Sequence, residues 1–248
     1  MKGVSGKEVN TKSAATALGA AAGVTLVLFF IPYGDKVILP LTLLSTYVHE
    51  MGHGLAAILV GGRFVKLEMW ANGSGVAWHA GDYGALARAW VAAGGLLGPA
   101  FFGALLFALG RHRSWAKPVL YVCGGLALLS VLLFVRNAFG VVYVLLLGAA
   151  LLALAHFASE AWAQLVVVFL GIQLSLSVFS RGNYLFMAYA ETTQGRMPSD
   201  VAHISEALFL PYWFWGGIVG LISVGILAAG MWFFFRGSLP VKGKKAAS

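Results

Sequence analysis

The chain has 248 residues, of which 60% are hydrophobic and only 10% are charged, and its formal net charge is +8. A soluble globular domain is about half apolar and about a quarter charged, so this composition excludes that class. The basic residues lie in the tails and short loops, and no basic patch is interleaved with aromatic residues. We therefore expect contact with the lipid bilayer and no binding of nucleic acid. The single cysteine, Cys123, excludes a disulfide framework and a zinc site built from thiolates.

Apolar runs long enough to cross a bilayer recur along the whole chain. We place them at residues 14–32, 37–60, 86–109, 117–135, 139–157, 161–180 and 212–235. Several are short or interrupted by glycine, so the sequence fits either six or seven transmembrane helices. The first run is long enough to span and follows a polar segment, so we expect it to be retained rather than cleaved as a signal peptide. The predicted fold is an all-α polytopic membrane protein, placed in a plasma or inner membrane.

Two segments depart from this helical pattern. Residues 61–79 carry Val, Phe and Trp on both sides of the turn-rich sequence ANGSG, which predicts a short β-hairpin at the membrane surface. Residues 181–211 form the most polar insert in the interior of the chain. Within it, the sequence Pro-Ser-Asp at Pro198 to Asp200 is typical of a helix start and predicts a short helix ending near Leu210.

The sequence HEMGH places three ionisable residues inside the second apolar run. His49 and His53 are four residues apart, so on a helix their imidazoles lie one turn apart on the same face and can bind one metal ion. Glu50 is offset around the helix, where it can contact a water on the metal and act as a general base. Ionisable residues within a span are costly and usually functional, which favours a metal site over a polar helix contact.

Small residues surround this motif and lie in the next apolar run. Gly52 and Gly54 have no side chains, so they leave room for another helix or a substrate strand to approach closely. Gly94, Gly95 and Gly98 are interpreted as a small-residue face that packs against the motif helix, in preference to a ligand cradle.

An HExxH helix inside a membrane bundle, preceded by a span and followed by two glycines and a hairpin, resembles the site-2 protease family of intramembrane zinc metalloproteases. The closer resemblance is to its compact branch, which lacks a PDZ domain. It is carried by YVHEMGHGLAAILVGGR, AAGGLLGPAFFGALL, VRNAFG and SDVAHISEAL, at residues 47–63, 92–106, 135–140 and 199–208.

The resemblance implies that the protein is a zinc-dependent endopeptidase, with His49 and His53 as Zn²⁺ ligands and Glu50 as the general base. Its substrate would be a membrane protein with a single transmembrane segment, cleaved in or near that segment. The hairpin would pair with an unwound strand of the substrate by edge addition. The predicted organisation is a single transmembrane metalloprotease-like domain over 14–235, with basic tails at 1–13 and 236–248.

The third metal ligand departs from the family's familiar pattern. Site-2 proteases usually supply an aspartate from an LDG motif, and this sequence has no LDG. Its three aspartates are Asp35, Asp82 and Asp200. We favour Asp200, because the compact branch places a Ser-Asp pair in the corresponding region. The alternative is that Asp200 only caps the predicted helix, which is common for an aspartate after a proline.

Five further polar residues are weaker candidates for the metal or substrate site. Asn137 could bind substrate or a water at the metal, although a loop role is favoured. His203, one turn after Asp200, could be a ligand or a partner of one. His79 and His156 are interpreted as polar anchors near the ends of spans in preference to metal ligands, and a functional role is not favoured for Asn183.

Two other functions fit the sequence. A catalytically inactive metal-binding or scaffolding membrane protein would keep the ligands without cleaving a substrate, and the missing LDG favours it. A small transporter or channel could use the intramembrane histidines and glutamate as an ion relay. The sequence indicates neither a particular substrate nor an oligomeric state.

Overall fold

The computed structural model describes residues 34–180, 184–193 and 195–236, together with residues 16, 18–20, 22–23 and 27. The predicted N-terminal tail, the predicted C-terminal tail after Arg236, most of the first apolar run and Asn183 lie outside the described residues.

Seven α-helices account for most of the described chain. They are α1 (Gly34–Leu59), α2 (Ala85–Gly110), α3 (Arg113–Leu133), α4 (Ala138–Phe157), α5 (Glu160–Ser180), α6 (Asp200–Leu208) and α7 (Tyr212–Arg236). All except the short α6 coincide with apolar runs predicted from the sequence. The prediction of a mostly helical fold is therefore confirmed.

Five of these helices, α2 to α5 and α7, are long and apolar enough to cross a membrane. The motif helix α1 has 26 residues, but His49, Glu50 and His53 make it more polar than the others. The prediction of six or seven spans also included α1 and the first apolar run, in addition to these five helices.

The helix that organises the bundle is α2, which packs against α1, α5, α6 and α7. Its glycines allow the backbone of α1 to come very close. A Cβ atom on Gly52 would lie 3.0 Å from the carbonyl carbon of Gly94, and one on Gly94 would lie 2.9 Å from the carbonyl oxygen of Gly52. Such contacts between small residues are how helices associate in lipid, where no hydrophobic force draws them together. The predicted glycine face against the motif helix is confirmed.

The predicted hairpin at 61–79 is also confirmed. It consists of β1 (Arg63–Met69) and β2 (Gly75–Ala80), which pair in antiparallel register. The turn between them contains Gly73 at φ +86°, a left-handed conformation that favours glycine.

The outer edge of β1 is occupied by the segment that joins α3 to α4. The amide of Leu67 donates to the carbonyl of Phe134 at 2.8 Å, and the amide of Arg136 donates to the carbonyl of Leu67 at 3.0 Å. The Asn137 side chain then accepts from the amide of Met69 at 3.1 Å and donates to its carbonyl at 2.5 Å. Asn137 therefore holds the hairpin in place, in line with the favoured loop role.

The polar insert contains a second hairpin that the sequence did not predict. A 3₁₀ turn (Tyr184–Phe186) leads into β3 (Tyr189–Thr192) and β4 (Gly195–Pro198), which are antiparallel. The strands have four residues each, too few for an alternating pattern to stand out. The predicted short helix follows as α6 and ends at Leu208, two residues before the predicted end, where Phe209 adopts a left-handed conformation at φ 68°.

Candidate metal centre

The imidazoles of His49 and His53 bring their Nε2 atoms close together. Their Nε2 atoms are 3.1 Å apart, as expected for residues one helical turn apart. The Nδ1 atom of His53 donates a hydrogen bond to the carbonyl of Val91 in α2, at 2.9 Å. Because a carbonyl can only accept, Nδ1 carries a proton, and Nε2 is the ring nitrogen that faces His49 and Asp200. A backbone carbonyl commonly orients metal-binding histidines in this way.

Asp200, the first residue of α6, completes a triad with these histidines. Its Oδ2 atom lies 3.1 Å from Nε2 of His49, and its Oδ1 atom lies 3.3 Å from Nε2 of His53. The cap of α6 is Ser199, whose hydroxyl accepts a hydrogen bond from the amide of Ala202 at 3.2 Å. Since Ser199 has the capping role, the carboxylate of Asp200 is free to face the histidines.

The three side chains form a donor set that suits zinc. One ligand atom from each of His49, His53 and Asp200 lies within 4.8 Å of the others. Donors held tetrahedrally at the bond lengths of zinc lie about 3.3 Å from one another, close to the separations observed here. Two imidazole nitrogens and one carboxylate oxygen are also a combination found in catalytic zinc sites, which leave a fourth position open.

The charges within the triad favour an ionised carboxylate. Burial alone would raise the pKa of Asp200, but the imidazoles of His53 and His49 hold that pKa well below its usual range. The carboxylate side chain is 12% exposed, so it interacts with the two rings through little intervening water. A negative charge at this position is what a divalent cation requires of a ligand.

Glu50 lies beside the triad and contacts the first hairpin. It is 7% exposed and is hydrogen-bonded to the backbone of Ala77 in β2. A Cβ atom on Gly75 would lie 2.8 Å from Cγ of Glu50 and 2.6 Å from the Thr46 methyl group. The absence of a side chain at Gly75 therefore allows β2 to pack directly on this carboxylate.

A cleft of about 420 Å³ opens over these residues. Both hairpins border it, because β2 contributes Gly75, Val76 and Ala77, and the second hairpin contributes residues of both its strands. The hairpins touch at their tips, where the hydroxyl of Thr193 bonds Asn72 at 3.1 Å and the hydroxyl of Ser74 at 3.0 Å. The triad thus lies at the wall of a space enclosed by the two hairpins.

The two edges of the first hairpin differ. The outer edge of β1 is bonded to the segment after α3, as described above. Within residues 34–180, 184–193 and 195–236, β2 pairs only with β1. The unpaired edge thus belongs to the strand that lines the cleft.

The remaining candidate residues do not join the triad. His79 and His203 line the cleft, and Nδ1 of His203 lies 3.9 Å from Oε2 of Glu206. Burial lowers the pKa of His79, which favours its neutral form. His156 is 3.3 Å from the hydroxyl of Tyr121, at the end of α4, and Asp82 is not in the group of possible ligands.

One site residue was missed by the sequence analysis. The hydroxyl of Tyr184 donates a hydrogen bond to Oδ2 of Asp200 at 3.1 Å, and its ring meets the ring of His49 edge-on. No local pattern marks this tyrosine, because its proximity to His49 depends on the tertiary fold.

Comparison with protein families agrees with this geometry. The model of the Peptidase M50B-like family matches residues 20–230, which is most of the chain. The chain belongs to the site-2 protease family. Its members are in general zinc metalloproteases, and with five apolar helices the chain is an integral, multi-pass membrane protein. Comparisons with curated proteins and with solved structures give no match.

Proposed function

We propose that the protein is a zinc-dependent intramembrane endopeptidase of a plasma or inner membrane. Its substrates are membrane proteins with a single transmembrane segment, cleaved in or near that segment. The observation that carries the proposal is the triad of His49, His53 and Asp200, whose donor atoms are 3.1–3.3 Å apart beside the buried carboxylate of Glu50. Membership of a peptidase family supports it.

The residues of the site have separate roles in the proposed reaction. His49, His53 and Asp200 hold the zinc, which when bound supplies Lewis acidity toward a carbonyl and lowers the pKa of a water. Glu50 accepts the proton of the attacking water and delivers it to the leaving amine. Its hydrogen bond with the backbone of Ala77 keeps the carboxylate oriented toward the cleft.

The open edge of β2 binds the substrate as an extended strand. A helical segment hides its carbonyls in its own hydrogen bonds, so the substrate must unwind before attack. Backbone pairing with β2 compensates for the helical hydrogen bonds that unwinding removes. Because Ala77 of β2 also contacts Glu50, a strand paired there would lie beside the general base.

The proposal is tested with Glu50→Gln in the full chain, purified and reconstituted in liposomes with single-span substrates. Cleavage is followed by mass spectrometry, and zinc per chain is measured on the same samples. We expect a loss of at least about 100-fold in cleavage with zinc retained, since a general base typically contributes 10²–10⁴-fold. Full activity of Glu50→Gln would rule out this mechanism.

A catalytically inactive metal-binding or scaffolding protein is the second candidate. The observation that favours it is the absence of an LDG motif: among the residues that the structure describes, the aspartate grouped with the histidines is Asp200, from the short helix α6. The same experiment separates the two candidates. Stoichiometric zinc in a wild-type protein that cleaves none of a broad set of single-span substrates would favour the inactive protein.

A further inference from the structure

Tyr184 lies against two members of the triad at once. Its hydroxyl donates to Oδ2 of Asp200, the same oxygen that lies 3.1 Å from Nε2 of His49. The centroids of its ring and the His49 ring are 6.2 Å apart, with the rings nearly perpendicular. The other carboxylate oxygen, Oδ1, faces His53. The phenol thus bonds one of the two oxygens and leaves the other to His53.

We propose that Tyr184 is a positioning residue that fixes the orientation of the Asp200 carboxylate for metal binding; this inference rests on the proposed metal site. A carboxylate can rotate about its bond to Cβ and present either oxygen, or both, to a cation. A donor bonded to Oδ2 selects one rotation and lowers the entropy that binding must remove. Residues that orient a metal ligand through a hydrogen bond typically contribute about 10–100-fold to metal affinity.

The turn that carries Tyr184 is held by α6. The hydroxyl of Ser199 donates to the carbonyl of Met187 at 2.5 Å, and the amide of Ser199 donates to the carbonyl of Ala188 at 3.0 Å. The residue that precedes Asp200 is therefore bonded to the segment that follows Tyr184. These bonds set the distance between the phenol and the carboxylate.

The same turn is held from the other side by α7. Leu185 is 5% exposed, and its carbonyl lies so close to Gly216 that a Cβ atom on Gly216 would overlap it. At the neighbouring Gly217, a Cβ atom would have no described atom within 4 Å. The hydroxyl of Tyr184 is thus placed by packed backbone on two helices rather than by a free loop.

The first test is Tyr184→Phe in the full-length chain. Zinc affinity is measured by competition with a chelator of known affinity. The control is Tyr83→Phe, because Tyr83 lines the same cleft but its hydroxyl bonds the carbonyl of Ala80 at 3.2 Å and does not touch the triad. We expect Tyr184→Phe to weaken zinc binding by about 10–100-fold and Tyr83→Phe to leave it unchanged.

A double-mutant cycle tests whether Tyr184 acts through Asp200. In the Asp200→Ala background, Tyr184→Phe should cause no further loss of zinc affinity, because the carboxylate that it orients is gone. An equal loss in both backgrounds would overturn the proposal, since it would indicate a general structural role.

A second variant moves the turn without removing the hydroxyl. Gly216→Ala should displace Leu185 and weaken zinc binding, whereas Gly217→Ala should not. The outcomes separate this inference from the proposed function. A wild-type protein that binds no zinc overturns both, and wild-type affinity in Tyr184→Phe or Gly216→Ala overturns the role of Tyr184 alone.

Discussion

The two halves of the triad are built in different ways. His49 and His53 come from one face of α1, and their spacing is set by the helix itself. Asp200 comes from the start of a nine-residue helix, and its position depends on the turn at Tyr184 and on the packing of that turn against α7. The relative position of the two histidines is therefore set locally by α1 and should tolerate substitutions elsewhere. The position of Asp200 depends on tertiary contacts and should respond to substitutions far from it.

The largest expected effect compares the two halves directly. We expect His53→Ala to remove stoichiometric zinc, and Asp200→Ala to leave residual weak binding because both histidines remain on α1. Both losses should exceed the roughly 10–100-fold loss that follows removal of a residue hydrogen-bonded to a ligand. Zinc affinity of purified protein measures this, with His203→Ala as a control from the same cleft. Unchanged affinity in Asp200→Ala would exclude it as the third ligand.

A second substitution tests whether the position of the Glu50 carboxylate depends on tertiary contacts. Gly75→Ala places a methyl group against Glu50 and Thr46, so the carboxylate must move while the triad remains. We expect cleavage to fall by up to about 100-fold, the cost of a misplacement near 1 Å, with zinc affinity unchanged. Gly84→Ala is the control, because a Cβ atom there meets no described atom within 4 Å. Equal activity in the two variants would contradict this view of Glu50.

The histidines on α1 also contact α2, and one of these contacts can be disturbed by substitution. A Cβ atom on Gly95 of α2 would overlap the imidazole of His53, whereas one on Gly98 would be in ordinary contact, 3.4 Å from the carbonyl oxygen of Val48. Gly95→Ala should therefore cost about 1–3 kcal/mol, the range for overpacking, seen as weaker zinc binding or lower stability. Gly98→Ala should change little. An effect of Gly95→Ala as small as that of Gly98→Ala would indicate that α1 and α2 can move apart to accommodate the methyl group.

The smallest expected effect concerns the start of α6. Ser199→Ala removes the cap of this helix and the bond from Ser199 to Met187, and we expect a loss of about 1 kcal/mol in stability. Ser205→Ala, later in the same helix, removes no cap and serves as the control. Denaturation of the purified protein measures the stability of both variants. Equal stability would show that the cap at Ser199 does not stabilise the helix that carries Asp200.

The sequence predicted what depends on local repetition. The apolar runs marked the long helices, the turn residues at ANGSG marked the first hairpin, and the four-residue spacing brought His49 and His53 together. The sequence also placed Asp200 at a helix start but could not separate a ligand from a cap. Only the structure shows that Ser199 caps α6, because that distinction depends on which of two adjacent side chains turns toward the helix.

Features that depend on contacts between distant segments were not predictable from one sequence. Tyr184 reaches Asp200 through the fold of the insert, and the second hairpin has strands too short for a clear pattern. Asn137 was correctly favoured as a loop residue, but its pairing with the backbone of Met69 in the first hairpin required the tertiary arrangement.

The unequal edges of the first hairpin also bear on self-association. An unpaired strand edge is a template on which a second copy of a protein can add its own strand. Here the segment around Val135 covers the outer edge of β1, and β2 lines a cleft that the second hairpin borders. Access to the edge of β2 is restricted by the second hairpin, whose tip bonds the tip of the first. The fold can thus keep an unpaired strand edge on β2 without promoting aggregation of the protein in its membrane.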